Sequence, residues 1–159
     1  MHNLVDQARQ IVEENRYMTI ATAAPDGKPW ISPVFFAYDS DYNLFWVSNK
    51  NSLHSKLIRQ NPRAAIVIFD SKAGEGEGDA VYFDTLVHEL EDLDEIRAAM
   101  KVLGKRVTKD EFRVKSVEEV TKAAAWRIYK AMPQVVSKLT TGEYINGQYV
   151  DKRVEISLN

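Results

Sequence analysis

Residues 17–49 contain three apolar segments joined by two short turns, and this succession constrains the fold more than any other feature. "YMTIATAA" is rich in β-branched and small residues, and "PDGKP" follows it with Asp-Gly, a strong hairpin signal. "WISPVFFAYD" then predicts a return strand, "SDYN" a second turn and "LFWVSN" a third strand. Because parallel neighbours need a crossover of a dozen or more residues, these short connections predict antiparallel pairing.

The β pattern continues through the rest of the chain. In "AVYFDTLVHEL", alternation places Val81, Phe83, Thr85 and Val87 on one face of a long strand. The other predicted strands are 64–70, 124–139 with a bend at Pro133, and 147–158. The sequence therefore predicts an all-β fold with peripheral helices, in the form of a six- to seven-stranded antiparallel β-barrel.

Helices are predicted at the edges of this barrel. Apolar residues recur at helical spacing over 3–15, and Ser116 with Glu119 has the spacing of a capping box. The predicted helices cover residues 3–15, 52–61, 92–106 (opened by Asp92 and Glu95) and 116–123. Residues 92–122 are therefore predicted to be a helical segment within a single domain that spans residues 1–159.

The composition excludes several classes of function. With 45% hydrophobic and 28% charged residues the chain is globular, and a net charge of −2 argues against nucleic acid, which needs clustered cations. There is no cysteine, and His2, His54 and His88 are scattered, so no metal site is expected. No run approaches the ~20 apolar residues of a membrane span, and the N-terminus lacks a signal-peptide core. We expect no membrane association and a cytoplasmic location.

The segment "VSNKNSLHSKLIRQNP", residues 47–62, gathers hydroxyls, amides and bases where a strand meets a helix. A helix N-terminus offers unpaired backbone N–H groups and the positive end of its dipole, which together favour phosphate. The side chains that would add donors and charge are Ser48, Asn49, Lys50, Ser52, His54, Ser55 and Lys56. The alternative interpretation is an ordinary helix N-cap at Ser52 with solvated lysines around it.

A catalytic side-chain set is not evident. The sequence has no Gly-x-Ser-x-Gly elbow, no Ser-His-acid set and no paired carboxylates. "GEGEG", residues 74–78, precedes a β-rich segment instead of the helix that a dinucleotide fingerprint requires. An enzyme with this sequence would obtain its reactive group from a bound cofactor. A cofactor that carries a phosphate would also explain the polar residues at 48–56. Trp126, Arg127 and Tyr129 alternate on the penultimate strand and are candidates to face a partner chain.

The order of "YMTIATAAPDGKPWISPVFFAYD", "LFWVSNKNSLHSKLIRQNPRAAIVIFD", "GDAVYFDTLVHEL" and "RIYKAMPQVV" resembles the pyridoxamine 5'-phosphate oxidase-like, FMN-binding split-barrel family. The resemblance covers residues 10–90 and, more loosely, 124–158, and it implies that the helical stretch 92–122 is an insertion. It implies a split barrel, a homodimer and FMN in a groove between the subunits. It also implies flavin contacts for "SPVFFA" and for Val47 and Ser48.

Several matched positions differ from those of the true oxidases. Leu53 and His54 stand where those enzymes place an Arg-Lys phosphate clamp. Ser32 and Ala37 replace basic residues of the second-strand motif, and Ala80 stands at about the position of a glutamine near the flavin ring. Vitamin B6 oxidase activity is therefore not expected.

The predicted function is that of an FMN-binding flavoprotein, an oxidoreductase that passes hydride or electrons between a reduced nicotinamide, NAD(P)H, and a small organic acceptor. Two alternatives stay open: the same fold with a deazaflavin or haem, and a non-enzymatic flavin or small-ligand binder. No general acid or base is assigned. The residues predicted to hold the cofactor are Ser32, Pro33, Val34, Phe35, Val47, Ser48, Asn49, Lys50, His54, Ser55 and Lys56.

Overall fold

The computed structural model describes residues 4–159, in which eight β-strands and three α-helices follow one another. His2, and residue 3 at which the first helix is predicted to begin, lie outside the described residues. Among the described helices, none is both long enough and apolar enough to cross a membrane. The elements are α1 (Leu4–Glu14), β1 (Tyr17–Ala23), β2 (Pro29–Phe35), β3 (Ala37–Tyr38), β4 (Leu44–Asn49), α2 (Leu53–Gln60), β5 (Arg63–Phe69), β6 (Ala80–Glu89), α3 (Leu93–Arg106), β7 (Trp126–Ile145) and β8 (Gln148–Glu155).

All eight strands belong to one antiparallel sheet, in the order β2-β1-β5-β6-β7-β4-β3, with β8 paired to β7. The strand order begins with β2 and ends with β3, and these two strands follow each other in the chain within residues 29–38. Because β2 pairs with β1 and, after Phe36, β3 pairs with β4, this segment connects the two ends of the sheet. Within the described residues no continuous ladder joins β2 to β4, so the barrel is split. The predicted antiparallel split barrel is confirmed. Its seven predicted strand segments become eight strands because the segment 30–39 divides at Phe36.

The barrel interior forms the main hydrophobic core. The β6 residues predicted to share one face are all 2% exposed or less: Val81, Phe83, Thr85 and Val87. The Trp46 ring of β4 stacks on Tyr129 of β7, with 5.4 Å between the ring centroids. Alternation along the strands therefore gives the inward face that the sequence predicts.

A second, smaller core lies outside the barrel, where α3 packs on β4 and its neighbours. Ile96, Ala99 and Leu103 of α3 contact Phe45 and other buried residues of the strands. The helix begins at Asp92, whose carboxylate accepts from the Asp94 and Glu95 backbone N–H groups at 3.0 and 2.9 Å. The predicted helix over 92–106 is therefore present, and its inner face covers the outer side of the sheet.

The short helix predicted over 116–123 is present, but it is shorter and more tightly wound than an α-helix. Residues Val117–Val120 form one turn of 3₁₀-helix instead, and Asp110–Phe112 form another. The Ser116 hydroxyl makes no capping bond, and Glu119 accepts from the Lys115 backbone N–H at 3.2 Å. In a capping box Glu119 would accept from the Ser116 backbone N–H, but here it accepts from Lys115, one residue earlier. The 3₁₀ turn is tighter than an α-helical turn and does not continue into a longer helix.

Strand β7 is longer than the sequence predicts. It runs through Trp126–Ile145 and pairs in succession with β4, β6 and β8. The predicted bend at Pro133 coincides with a register shift between Asp84 and Thr85 on β6, because Pro133 lacks the N–H that regular pairing would use. The β7–β8 hairpin turns at Asn146 and Gly147, both with positive φ.

Candidate functional site

Strand β4 has two opposite faces, and the predicted site residues are divided between them. Trp46 and Ser48 face the barrel interior and are buried, whereas Val47 packs on the outer core beneath α3. By the same alternation Asn49 lies on the outer face. The polar residues at 48–56 and the apolar contacts Phe35 and Val47 therefore form two parts of the candidate site.

Three hydroxyls and one imidazole form a hydrogen-bonded cluster at the start of α2. His54 Nε2 lies 2.9 Å from Ser48 Oγ and 3.2 Å from Ser52 Oγ. Ser52 Oγ lies 2.8 Å from Ser55 Oγ and donates to the Asn49 carbonyl at 2.8 Å. The structure thus brings together Ser48, His54 and Ser55 of the predicted site, with Ser52 at the centre.

The proton positions in this cluster follow from the Asn49 carbonyl, which can only accept. Ser52 donates its single hydroxyl proton to that carbonyl, so Ser52 Oγ has only lone pairs left for Ser55 and His54. His54 Nε2 lies nearest to Ser48 Oγ, and the tautomer of the ring decides which of these two atoms donates to the other.

His54 contributes a hydrogen bond and no charge. Burial lowers the pKa of His54 below its ordinary value of 6.5, so the ring is neutral at pH 7. The Nε2 atom, which the sequence predicts as a donor to the phosphate, is engaged inside the cluster by Ser48 and Ser52. His54 therefore orients Ser48.

Ser52 does not close the start of α2 with its side chain. It occupies the N-cap position, but its hydroxyl makes no bond to a helix N–H. The first-turn N–H groups of α2 are consequently left without a side-chain cap, as an anion site at a helix N-terminus requires. Ser55 is fully buried, and the hydrogen bond between its hydroxyl and Ser52 Oγ holds the Ser52 side chain in position.

Lysines supply positive charge beside this helix start. The Lys50 backbone N–H donates to the Ala125 carbonyl at 2.8 Å, and Lys50 Nζ lies 3.5 Å from the Ala123 carbonyl. Lys56 is exposed on α2, whose first turn contains no acidic residue. Together with the helix dipole, the two ammonium groups favour an anion here. Backbone N–H groups, the Ser48 hydroxyl and two lysines form a donor set that fits a phosphate.

Glu89 of β6 is the centre of an ion-pair network next to the hydroxyl cluster. Its carboxylate lies 2.8 Å from Arg59 Nη1 and 3.3 Å from Arg127 Nε, and it accepts from the Tyr129 hydroxyl at 2.9 Å. Arg59 in turn donates to the Lys50 carbonyl. Burial and the Glu89 acceptor raise the pKa of Tyr129 to about 12. The network therefore positions the Lys50 loop against β6 and β7.

The interpretation that Arg127 and Tyr129 face a partner chain is wrong. Tyr129 is fully buried against Trp46, and the Arg127 side chain is only 12% exposed in its pair with Glu89. Both point inward because they share the face of β7 that packs on the interior. Trp126, on the other face, is 52% exposed.

The β2 residues of the predicted site differ in what they offer a ligand. Val34 is buried in the barrel core, and Pro33 is exposed on the opposite face. The Ser32 hydroxyl accepts from Trp30 Nε1 at 3.1 Å. Phe35 is half-buried and pairs across the ladder with Tyr17. The Arg16 guanidinium lies 5.4 Å from the Phe35 ring centroid, and the Tyr17 ring packs against it edge-on at 6.1 Å.

A cavity of about 660 Å³ lies outside the barrel, between the strands and the segment that contains α3. Phe35 and Val47 of the predicted site line it. Trp126 also lines it and pairs with Asn49 in the β4–β7 ladder, so it lies between the cavity and the polar corner. Arg16 and Tyr17, which are not among the predicted site residues, complete the strand side. The register of the Asp-Gly hairpin, which sets Tyr17 opposite Phe35, is the signal that identifies Tyr17.

Residues 4–159 contain no group of three or more His, Asp or Glu side chains arranged to hold a metal ion.

Comparison with known proteins relates the chain to several others. A pyridoxine/pyridoxamine 5'-phosphate oxidase from Nostoc sp. is 24% identical over 147 residues, covering 81% of this chain and 68% of the relative. A heme binding protein from Mycobacterium smegmatis superposes with a TM-score of 0.69 at 18% identity, and this chain, matched over 98% of its length, spans 59% of that protein. A FAD-binding protein from Mesorhizobium loti superposes with a TM-score of 0.61 at 23% identity, over 83% of this chain and 91% of the other.

The two structural similarities show the fold, and the family follows from the sequence. The sequence model of the family described as "Pyridoxamine 5'-phosphate oxidase" matches residues 4–134. That stretch includes every strand of the split barrel from β1 to β6, both parts of the candidate site and the first half of β7. The chain therefore belongs to the pyridoxamine 5'-phosphate oxidase family.

Proposed function

We propose that this protein is an FMN-binding flavoprotein that transfers hydride or electrons from a reduced nicotinamide, NAD(P)H, to a small organic acceptor. The observation that carries the proposal is the donor set at the start of α2, where first-turn N–H groups without a side-chain cap lie beside Lys50 and Lys56. Family membership and the similarity to a FAD-binding protein support a flavin. A single helix start with two lysines suits one terminal phosphate, which favours FMN.

Each part of the site has a defined task in this proposal. FMN, when bound, supplies a ring that accepts hydride and passes electrons on. Lys50 and Lys56 balance the phosphate charge, and Ser48 donates its hydroxyl proton to a phosphate oxygen while His54 fixes the Ser48 orientation. Phe35 offers an apolar face next to the ring, which keeps water away from it.

A homodimer is part of the proposal. Tyr17, Trp30 and Ile31 on β1 and β2 are 63%, 43% and 66% exposed, and β2 is at one end of the strand order. Exposed apolar residues grouped on an edge strand are typical of an interface. Sedimentation is expected to give about twice the 18.1 kDa chain mass. Ile31→Lys is expected to produce a monomer that has lost FMN, and a monomer that retains FMN would contradict an interface site.

Haem is the second candidate, because a similar solved structure is described as heme binding. Haem requires an axial ligand, and His54 Nε2 is already engaged with Ser48 and Ser52 in the hydroxyl cluster. His88 is exposed on β6, and strand alternation places it on the face opposite Glu89. These positions support a flavin better than haem. Absorption spectra of the protein titrated with FMN, a deazaflavin and hemin separate the three cofactors.

The phosphate contact is tested by Lys56→Ala. We expect FMN binding to weaken by about 10- to 100-fold, which corresponds to about 1.5–3 kcal/mol for a hydrogen bond to a charged group. Riboflavin, which lacks the phosphate, should bind the variant and the wild type equally. Lys101→Ala, an exposed lysine on α3, is the matched control. Equal losses for FMN and riboflavin would contradict a phosphate contact.

Enzyme and simple binder are separated by turnover. The FMN-loaded protein is mixed anaerobically with NADH or NADPH, and the flavin absorbance is followed before and after addition of a quinone. Loss of the oxidised spectrum and its return with the quinone is the expected result. Bound flavin that stays oxidised with either nicotinamide would leave the non-enzymatic alternative.

A further inference from the structure

The β7–β8 hairpin extends beyond the rest of the sheet. The last pair between β6 and β7 is Val81 with Lys138, and beyond it β7 pairs with β8 alone among the described strands. Both faces of this two-stranded segment, residues 139–153, which we call the hairpin arm, are exposed: Tyr144 on one face is 77% exposed and Ile145 on the other 49%. A two-stranded hairpin without a core of its own is marginally stable, so the arm opens more easily than the barrel.

The hairpin arm turns at Asn146 and Gly147. Ile145 pairs with Gln148, so these two residues form the whole loop, and their φ values of 51° and 79° are both positive, as in a type I′ turn. Both residues are exposed, and a Cβ on Gly147 would have no neighbour within 4 Å. Within residues 4–159, neither the Asn146 amide nor the Gly147 N–H makes a hydrogen bond. The side-chain amide and the backbone nitrogen that follows it are therefore both free to react.

The sequence Asn-Gly permits a reaction between these two groups. Glycine has no Cβ, so it hinders attack by its own backbone nitrogen least. The deprotonated Gly147 nitrogen attacks Cγ of Asn146, the Cγ–Nδ2 bond breaks and ammonia leaves. Water then opens the cyclic succinimide at one of its two carbonyls, which gives either aspartate or isoaspartate, in which the main chain runs through the side-chain carboxyl. Nothing is oxidised or reduced, and water is the only co-reactant.

The first hairpin turn of the chain contains Asp26 and Gly27, which could form the same succinimide with loss of water. There the Gly27 N–H donates to the Ala24 carbonyl at 2.8 Å. The Asp26 carboxylate accepts from the Lys28 backbone N–H at 3.1 Å. Because both reacting groups are hydrogen-bonded in that turn and neither is in the hairpin arm, the structure favours reaction at Asn146 over Asp26.

We propose that Asn146 is a site of spontaneous deamidation, converted to aspartate and isoaspartate at a rate that opening of the hairpin arm controls. The closed two-residue turn fixes the backbone torsions on both sides of Asn146, so the arm opens before the Gly147 nitrogen reaches Cγ. The barrel stays folded during this opening, because the arm makes no strand pair with β6 or β4. The inference is independent of the proposed function and of any cofactor.

Conversion changes the hairpin arm permanently. Isoaspartate lengthens the main chain within a two-residue turn, so the pairing of Tyr144 with Tyr149 cannot keep its register. Either product also adds a negative charge near Glu143, whose carboxylate pairs with Lys152 at 3.2 Å. The converted arm is therefore expected to remain more open than the original one.

Peptide mapping of the folded, full-length chain tests the site. The protein is incubated in mildly alkaline buffer, which deprotonates more of the backbone nitrogen, and is then digested with trypsin. The peptide of residues 139–152 contains Asn146 and no other asparagine. We expect a mass gain of about 1 Da on this peptide, divided between two products with different chromatographic retention. The peptides that contain Asp26 and the exposed Asn51, which Ser52 follows, should be unchanged over the same time.

Control by the hairpin arm is tested with glycine variants. A Cβ on Gly142 would clash with the Val150 carbonyl, so Gly142→Ala loosens the arm and should speed conversion of Asn146 by roughly threefold or more. Gly78→Ala, where a Cβ meets open space, is the matched control and should leave the rate unchanged. Thermal melts show whether each variant is folded. Tyr149→Ala, which removes the hydroxyl that accepts from the Gly142 N–H at 2.9 Å, replaces Gly142→Ala if the latter does not fold.

The unfolded chain supplies the reference rate. In urea the turn is absent, and the folded protein should convert at least roughly threefold more slowly than the unfolded one. Two results would overturn the proposal. One is an unchanged peptide of residues 139–152 from folded protein after a time in which the unfolded chain is fully converted. The other is an equal rate in wild type, Gly142→Ala and Tyr149→Ala, because opening of the arm would then not control the reaction.

Discussion

Replacement of Glu89 is expected to destabilise the whole fold, because its carboxylate connects α2, β6 and β7. Its side chain is 18% exposed and contacts Arg59, Arg127 and Tyr129. The Arg59 side chain is 41% exposed, so that pair contributes at most about 1 kcal/mol. The Arg127 side chain is 12% exposed, and loss of its partner should cost about 2 kcal/mol.

The expected magnitudes depend on which contacts each variant retains. Glu89→Gln can still accept from Tyr129 and is expected to lower the free energy of unfolding by about 2–3 kcal/mol. Glu89→Ala also removes the acceptor for the Tyr129 hydroxyl and should lower the free energy of unfolding by about 4 kcal/mol. Urea denaturation followed by tryptophan fluorescence measures both. Glu91→Gln, an exposed acid two residues further on, should change stability by less than about 0.5 kcal/mol.

A second measurement distinguishes this network from general loss of packing. Burial and the Glu89 acceptor raise the pKa of Tyr129 to about 12. Glu89→Gln removes the negative charge and should lower this pKa, although burial keeps it above the ordinary 10.0. Alkaline difference absorbance reports the titration. If Glu89→Gln and Glu91→Gln have equal stability and Tyr129 titrates as in wild type, the reasoning is refuted.

Three further predictions concern other parts of the fold. Burial lowers the pKa of His54, so the unfolded chain binds more protons than the folded one, and the stability should fall as the pH drops below about 6.5. His54→Asn should weaken this pH dependence in thermal melts between about pH 5 and 8. An unchanged slope of stability against pH would contradict the prediction. A Cβ on Gly142 would lie 2.4 Å from the Val150 carbonyl, so Gly142→Ala should speed amide exchange in the β7–β8 hairpin while Gly78→Ala, which meets open space, leaves it unchanged. Trp46 Nε1 is buried without a hydrogen-bond partner among the described residues, so Trp46→Phe should cost only about 1–2 kcal/mol in chemical denaturation; a loss above about 4 kcal/mol would indicate a missing partner.

Most strands are predictable from the sequence because local signals determine them. Asp26 and Gly27 form the first hairpin turn, and Gly27 has the positive φ that this turn needs. The division at Phe36 has no such signal, because Phe35 and Phe36 are both apolar and only the curvature of the barrel separates them. The short turn at Val117–Val120 resembles a helix start in sequence, but the backbone of Thr121 is extended, so the turn does not continue into a helix.

The candidate site is only partly predictable. The polar corner is contiguous in sequence, so the phosphate site is a prediction that its residue types alone can make. The opposite orientations of Val47 and Ser48 follow from strand alternation and are predictable. The cavity cannot be predicted from the sequence, because Arg16, Phe35 and Trp126 become neighbours only when α3 packs on the outer face of the sheet. No local pattern encodes that docking.

Strand β7 lies between β4 and β6, and this position has a consequence for how the chain reaches its folded state. When the chain is synthesised, β4 and β6 are complete long before Trp126 emerges, and each then presents an open edge that β7 later covers. Pairing between strands that are distant in sequence is slow, and until it occurs the unpaired strand edges associate with other chains. A product that stops before Trp126 is therefore expected to aggregate and not to fold as a smaller barrel. Chaperone demand during expression should depend on how quickly the segment from Trp126 onward is made.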